Sequence, residues 1–185
     1  ERINDIGIYP AAHKPECWYY GSYGRGHGPI NITQAIEKSC NYFFYEVGNR
    51  IGIDTIEKYA KYFGLGKKTQ VELPSEALGV IASQSKADEE NRTWYLGETL
   101  SAAIGQSYNN FTPIQMAYYI ATLANGGQKN EVTILKQVIT SNGEEEERQT
   151  VLEVVNEKID KTKIDTGNLG ISNEVINTIF EGMRS

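Results

Sequence analysis

The sequence predicts a mainly α-helical domain with a small β part, of the α+β class. Several segments repeat apolar residues every three or four positions, which is typical of one face of a helix. Two other stretches, 132–139 and 150–155, are rich in β-branched residues and are joined by Asn142-Gly143 and four glutamates. Such a pattern predicts an exposed hairpin. A length of 185 residues fits one domain.

Changes in residue pattern divide this domain into four parts. Residues 1–30 have no helical period and many glycines and prolines, which predicts an extended arm followed by a Gly-rich loop. Residues 31–127 are predicted to form a helical core, residues 128–171 a β-hairpin excursion, and residues 172–185 a terminal helix.

Start and stop residues place the helices within this outline. The first apolar stripe runs through Ile36, Cys40, Phe43, Phe44, Val47 and Ile51. A second helix is predicted from Asp54 to Phe63 and a weak one over 97–106, whereas residues 65–93 are predicted to be mostly loop.

Two later helices have the clearest start residues. Thr112-Pro113-Ile114-Gln115 combines a capping threonine, a proline at the first helical position and a glutamine that reaches back. Ser172 is predicted to cap the last helix.

Composition excludes several classes of function. The chain has 18 Lys and Arg against 24 Asp and Glu, a net charge of −6. That balance argues against a nucleic-acid partner, because such binding depends on basic residues. No apolar run reaches the ~18 residues of a membrane-spanning helix. Two cysteines do not make a disulfide scaffold.

Two short motifs are weak candidates for chemistry. The glycines at 21, 24, 26 and 28 are followed by Pro29 and lack the Gly-Lys-Ser/Thr of a phosphate loop. Ser83-Gln84-Ser85-Lys86 matches the Ser-x-x-Lys of active-serine acyl enzymes, but polar residues follow it instead of an apolar helical stripe. We therefore expect Ser83 to lie in a solvated loop.

Ser39-Cys40-Asn41 is a more specific candidate. Two residues along an ideal helix differ by about 200° in direction, so Ser39 and Asn41 would face opposite ways on an unbroken helix. They could act on one substrate only if the helix breaks between them. The residues alone leave open whether they are catalytic or cap a new helix.

Metal-prone side chains cluster near the start of the chain. His13, Cys17, His27 and Cys40 fall within 28 positions, with Asp5 just upstream. Zinc favours tetrahedral sulfur, nitrogen and oxygen ligands. The spacing is irregular, however, and two alternatives stay open: two buried free thiols, or a Cys17–Cys40 disulfide, which an extracytoplasmic setting would permit.

Four stretches, in order along the chain, resemble a class B penicillin-binding protein of the elongation type. They are Gly26-His27-Gly28-Pro29 through Ser39-Cys40-Asn41-Tyr42-Phe43-Phe44-Tyr45, then Gly64-Leu65-Gly66 through Glu76, then Ile104-Gly105-Gln106-Ser107, and then Thr112-Pro113 through Gly127. The resemblance covers about residues 15–127. It implies the helical subdomain of a penicillin-binding, serine-transpeptidase-like fold.

The resemblance implies acyl transfer on peptidoglycan stem peptides. In that family the serine of Ser-x-x-Lys attacks the D-Ala-D-Ala carbonyl, Ser-x-Asn assists, and a Lys-Thr-Gly strand binds the substrate carboxylate. Ser39 and Asn41 match the middle motif. Ser39 would then relay a proton, Asn41 would bind the lysine and the substrate amide, and the helix would break between them.

The same resemblance raises the zinc interpretation. Some elongation-type members carry a zinc site of Asp, His and Cys beside the active serine. His27 and Cys40 occupy the matching places, and Asp5 and Cys17 would complete a structural site. Acyl transfer itself requires no cofactor.

Two departures from the family shape our expectation for this chain. No serine among the first 38 residues has a lysine three places on, and Lys68-Thr69-Gln70 has glutamine where the family has glycine. In the family Ser-x-x-Lys precedes Ser-x-Asn, so Ser83–Lys86 lies on the wrong side of Ser39. We expect residues 1–185 to be part of a transpeptidase domain that lacks the catalytic Ser-x-x-Lys and the Lys-Thr-Gly strand and is inactive alone. Ser107 also stands where the family commonly has glycine.

The resemblance further implies a setting for the intact protein. It would bind β-lactams and stem peptides, lie on the extracytoplasmic face of the bacterial membrane through an N-terminal anchor outside this chain, and work with cell-wall elongation proteins. Two alternatives stay open: a non-catalytic module that binds stem peptide or a cell-wall partner, and a β-lactam sensor domain.

Overall fold

A computed structural model describes residues 1–134, 137–140, 149–153 and 171–184. The helices and strands, in chain order, are β1 (Ile3–Asp5), α1 (Trp18–Tyr23), β2 (Gly28–Ile30), α2 (Ile32–Glu37), α3 (Asn41–Tyr62), α4 (Gln84–Glu89), α5 (Leu96–Ala103), α6 (Pro113–Ala124), β3 (Gln137–Thr140), β4 (Gln149–Glu153) and α7 (Asn173–Arg184). Helices dominate and two small antiparallel ribbons accompany them, in agreement with the α+β prediction. Within these residues, every helix is too short or too polar to cross a bilayer.

The long apolar stripe that begins at Ile36 belongs to two helices and not to one. Lys38 ends α2, and Cys40 opens α3 by accepting a hydrogen bond from the Phe43 N–H through its sulfur (3.4 Å). A second break lies at Gly52, whose φ of 74° and ψ of 163° are not helical. The separate helix predicted from Asp54 therefore begins just after this kink.

The predicted helix starts at Thr112 and Ser172 are confirmed. The Thr112 side chain accepts from the Gln115 N–H (3.2 Å), and Gln115 Oε1 accepts from the Thr112 N–H (3.0 Å). Ser172 Oγ accepts from the Val175 N–H (3.3 Å). Each bond satisfies an N–H that has no partner inside its own helix.

Two short helices lie in regions where the sequence pattern predicts none. α1 lies within the residues predicted as an extended arm and loop, and α4 lies within 65–93, predicted as mostly loop. Each has six residues, too few to display a full apolar stripe. The remainder of those two predicted loop regions contains only the short strands β1 and β2 and isolated bridges.

The predicted hairpin strands do pair. β3 and β4 are antiparallel, with a register shift between Val138 and Ile139. The Asn142-Gly143 turn and the run of glutamates lie outside the described residues.

Two close helix contacts hold the functional region in place. α3 crosses α5 where Gly48 lies against Ala103, and a Cβ built on Gly48 would lie 2.5 Å from that of Ala103. α7 crosses α2 at Gly182, where a Cβ would lie 2.8 Å from the Thr33 carbonyl oxygen. The main core surrounds α3 and consists of Ile3, Tyr9, Cys17, Ile30, Ala35, Cys40, Tyr42, Phe43, Tyr45 and Leu100.

Candidate functional site

The candidate site centres on the turn between α2 and α3. Asn31 and Gln34 fix the start of α2 through a reciprocal capping box. After α2 ends, Ser39 adopts a left-handed backbone with φ of 47°, and Cys40 then caps α3. The helix therefore breaks at Ser39-Cys40-Asn41. Such a break is the condition under which Ser39 and Asn41 could act on one substrate.

The break presents the three residues in different directions. Ser39 is exposed, Asn41 is half-buried and Cys40 is fully buried. Ser39 and Asn41 line one cleft of about 320 Å³, together with Ile36, Phe44, Ala103 and Ile104. Ser39 also borders a cleft of about 740 Å³, whose other walls are Trp18, Tyr19, Arg25, Gly26, His27, Gly28, Glu37 and Lys38. One serine thus faces two adjoining clefts.

Directly beneath the turn, four metal-prone side chains converge. Ligand atoms of Asp5, Cys17, His27 and Cys40 all lie within 4.8 Å of one another. Cys17 Sγ is 3.9 Å from Cys40 Sγ and 3.7 Å from His27 Nδ1. Asp5 Oδ2 is 2.7 Å from His27 Nδ1 and 3.2 Å from Cys40 Sγ. His13, the other histidine, is not in this group.

The small β1–β2 ribbon brings this cluster together. Antiparallel pairing places Asp5 opposite Gly28 and therefore beside His27. Close approach of the two strands needs glycine at position 26, because a Cβ there would lie 2.1 Å from the Asp5 carbonyl oxygen. Cys17 is fixed by a hydrogen bond from its N–H to the Gly7 carbonyl (2.8 Å).

Hydrogen bonds settle the charge state of the buried carboxylate. Burial by itself raises the pKa of Asp5, but donors from His27, Gly7 and Cys40 more than offset it, and the net pKa lies below the ordinary value. Burial, and then the nearby Asp5 and Cys17, raise the pKa of the Cys40 thiol. Both cysteines are free thiols, so the alternative of a Cys17–Cys40 disulfide does not hold in this structure.

The Ser83–Lys86 motif lies elsewhere, and its environment differs from our expectation. Ser83 is buried at 3% exposure and caps α4 by accepting from the Lys86 N–H (3.3 Å). The prediction of a solvated loop is therefore wrong. The Lys86 amino group pairs with Glu89 (3.0 Å), which raises its pKa and keeps it charged. A lysine in that state is a poor base for activating a serine.

The near match to Lys-Thr-Gly is likewise part of a loop. Both the N–H and the hydroxyl of Thr69 donate to Glu76, and Gln70 is left-handed with φ of 63°. These hydrogen bonds tie residues 69–76 into a closed loop, so these residues do not form a strand like Lys-Thr-Gly. Neither Ser83 nor Thr69 lines the clefts beside Ser39.

Trp18 also belongs to the candidate site, although no motif in the sequence predicts it. Its indole N–H contacts the carbonyls of Lys38 and Ser39. The only indication in the sequence was its place next to Cys17, and that does not predict a contact with a turn 20 residues away.

Comparison with known proteins identifies the fold and the family. Residues 1–185 match the family described as penicillin binding protein transpeptidase domain. The chain belongs to that family. It is 41% identical over 104 residues to the peptidoglycan D,D-transpeptidase MrdA of Salmonella typhimurium, a match that covers 56% of this chain and 17% of MrdA.

Two solved structures are similar over nearly the whole chain. Pseudomonas aeruginosa PBP2 in complex with WCK 5153 has a TM-score of 0.72 and 27% identity, covering 99% of this chain and 38% of that one. The complex of Helicobacter pylori PBP2 with MreC has a TM-score of 0.70 and 24% identity, covering 99% and 30%. The chain thus spans well under half the length of the proteins it matches.

Proposed function

We propose that this chain supplies the Ser39-Cys40-Asn41 part of the active site of a peptidoglycan D,D-transpeptidase. The observation that supports this most directly is the break between α2 and α3, which places Ser39 and Asn41 on one cleft. In the proposed reaction, a serine outside this set of residues attacks the D-Ala-D-Ala carbonyl of a stem peptide and forms an acyl ester, while the terminal peptide bond breaks. Ser39 relays the serine's proton to the amine of the departing D-alanine, and Asn41 binds the substrate amide.

A polar turn over a buried cluster suits this role. Ser39 is exposed and can meet substrate, while Cys40 anchors the turn from below. Preorganised hydrogen-bonding groups accelerate acyl transfer only when a nucleophile is present. We therefore propose that residues 1–185 are inactive alone and that β-lactams acylate a longer form of the protein.

Labelling with a fluorescent penicillin tests this proposal. The 185-residue chain should remain unlabelled, a longer form that carries Ser-x-x-Lys and Lys-Thr-Gly should label, and Asn41→Ala should slow labelling of the longer form. Asn110→Ala, at an exposed asparagine outside both clefts, is a control that should keep the wild-type labelling rate. Labelling of the 185-residue chain would place the nucleophile inside it and make Ser83 the candidate nucleophile. A longer form that never labels would favour the non-catalytic module.

We also propose a structural zinc at Asp5, Cys17, His27 and Cys40. Ligand distances of about 2.3 Å for sulfur and about 2.0–2.1 Å for nitrogen give tetrahedral edges of about 3.8 Å for S–S and about 3.5 Å for S–N. The observed 3.9 and 3.7 Å are close to those edges, whereas the 2.7 Å between Asp5 Oδ2 and His27 Nδ1 is a hydrogen-bond length. Metal binding would therefore replace that hydrogen bond and move the two side chains apart. Two thiols, an imidazole and a carboxylate form a donor set that zinc prefers. Bound zinc would join β1, the residues just before α1 and β2, and the start of α3.

Metal binding can be measured without any activity. Zinc should raise the melting temperature of the chain, and cobalt should give the visible spectrum of a tetrahedral thiolate site. His27→Ala should abolish both effects, and His13→Ala should leave both intact. Equal responses of the two histidine variants would refute the site.

The setting of the longer protein is a third proposal. We propose that an N-terminal segment anchors it in the cytoplasmic membrane, that it acts on the outer face, and that it works with cell-wall elongation proteins. The complex of Helicobacter pylori PBP2 with MreC supports a partner of that kind. Cross-linking in the native organism should recover an MreC-like protein, and recovery of cytoplasmic proteins alone would contradict the proposal.

A further inference from the structure

Trp18 forms hydrogen bonds with three of the four residues 38–41. Its backbone N–H donates to Asn41 Oδ1 (3.0 Å). Its indole N–H is shared between the carbonyl oxygens of Lys38 (3.1 Å) and Ser39 (3.0 Å). One residue of α1 therefore contacts the turn through both its backbone and its side chain.

These bonds are made where the turn needs support. The carbonyls of Lys38 and Ser39 follow the end of α2, where carbonyl groups lack partners within the helix. Ser39 is also held at a φ of 47°. A left-handed backbone is costly for a residue with a Cβ and persists only where its surroundings hold it. The indole N–H supplies such an external contact.

The backbone bond also fixes the orientation of the Asn41 amide. A backbone N–H can only donate, so the atom of Asn41 that faces Trp18 must be the oxygen. The NH₂ group of Asn41 is then left as the donor for the cleft that Asn41 lines. Donation to a substrate carbonyl requires this orientation, and the flipped amide would offer the wrong atom.

We propose that Trp18 is a positioning residue, which holds the Ser39 carbonyl and the Asn41 amide in the orientation used for acyl transfer. It acts through the turn and not through contact with the reacting atoms. This inference rests on the proposed role of Asn41. It adds a residue that lies outside the Ser-x-Asn motif.

Trp18→Phe removes the indole donor and keeps an aromatic ring. Trp94→Phe is the matched control, because Trp94 also donates an indole hydrogen bond, to Thr99 Oγ1 (2.9 Å), and does not line either cleft. In a longer form that β-lactams acylate, we expect Trp18→Phe to lower the acylation rate constant roughly three- to tenfold, the worth of one or two hydrogen bonds. The dissociation constant of the noncovalent complex should stay within about twofold.

A spectroscopic test uses the 185-residue chain and needs no activity. In ¹⁵N spectra, Trp18→Phe should shift the backbone signals of Ser39 and Cys40, because the Lys38 and Ser39 carbonyls that precede those N–H groups lose the indole donor. Trp18→Pro, at the first position of α1, removes the backbone N–H as well and should also shift the side-chain NH₂ signals of Asn41. Trp94→Phe should leave all of these signals unchanged. If Trp18→Phe unfolds the domain, benzothienylalanine at position 18 replaces only the indole N–H by sulfur, and both measurements are repeated with it.

The outcomes separate this inference from the proposed function. Unmoved Asn41 signals in Trp18→Pro, or an unchanged acylation rate constant for Trp18→Phe in a form that Asn41→Ala slows, would overturn the role of Trp18 alone. If the longer wild-type form is never acylated, the proposed function fails. The Asn41 signals of Trp18→Pro would then still decide whether Trp18 holds the amide.

Discussion

Replacing Asp5 by asparagine should strongly destabilise the metal-free chain. Asp5 is 2% exposed, and each of its oxygens accepts from a backbone N–H. Oδ1 accepts from Gly7 (2.6 Å) and Oδ2 from His27 (3.1 Å). An asparagine has only one oxygen, so either orientation of its amide turns an NH₂ group toward a backbone donor. No rotation of the side chain satisfies both.

The size of the effect follows from these contacts. One buried N–H left without a partner costs about 1–3 kcal/mol, and the weakening of the remaining bonds from charge-assisted to neutral adds about 1 kcal/mol. We therefore expect Asp5→Asn to lower the free energy of unfolding by about 2–4 kcal/mol. That is a large part of the stability of an ordinary domain.

Urea unfolding at neutral pH with a chelator present is the appropriate assay, because bound metal would add its own stabilisation. The control is Asp54→Asn, an exposed carboxylate on α3, which should change the free energy of unfolding by less than about 0.5 kcal/mol. A value for Asp5→Asn as small as that of the control would refute the reasoning.

Three further predictions concern a close backbone contact, a left-handed residue and the titration of a buried tyrosine. Gly26→Ala should destabilise the chain in urea by about 1–3 kcal/mol or more, since its Cβ would meet the Asp5 carbonyl at 2.1 Å. Ser107→Gly should raise the urea midpoint, because Ser107 has a φ of 68° and relief of that strain is worth about 0.5–1 kcal/mol. Burial, and then the bond to Glu46, raise the pKa of Tyr9 to about 12, so its stabilising effect holds below pH 10 and is lost between pH 10 and 12. Tyr9→Phe should therefore flatten the fall of unfolding free energy in that range.

Matched controls accompany these three changes. Gly21→Ala should be neutral or stabilising, since a Cβ there would meet nothing within 4 Å. Ser101→Gly, inside α5, should lower the urea midpoint, opposite in sign to Ser107→Gly. Tyr23→Phe, at an exposed ring, should leave the alkaline limb as in the wild type. The reversed pattern in any pair would contradict the corresponding prediction.

Local chemistry written in the sequence accounts for the elements that were predicted well. Thr112-Pro113 and Ser172 start helices through bonds to N–H groups three residues away, so their effect needs no tertiary contact. The pairing of β3 with β4 follows from nearby β-branched stretches. α1 and α4 were missed because a helix of six residues is stabilised mainly by its surroundings.

Residue types and their spacing are enough to pick out the chemically competent side chains: Ser39 and Asn41 in one motif, and the cysteines, histidine and aspartate that can bind a metal. Which of these side chains come into contact depends on the packing of the folded chain. Pairing of β1 with β2 brings Asp5 to His27, and the break after α2 turns Cys40 toward Cys17. Trp18 reaches the same turn across 20 residues. Contacts between distant positions depend on how helices and strands pack. Residue spacing along one chain predicts the helices and strands themselves but not their packing.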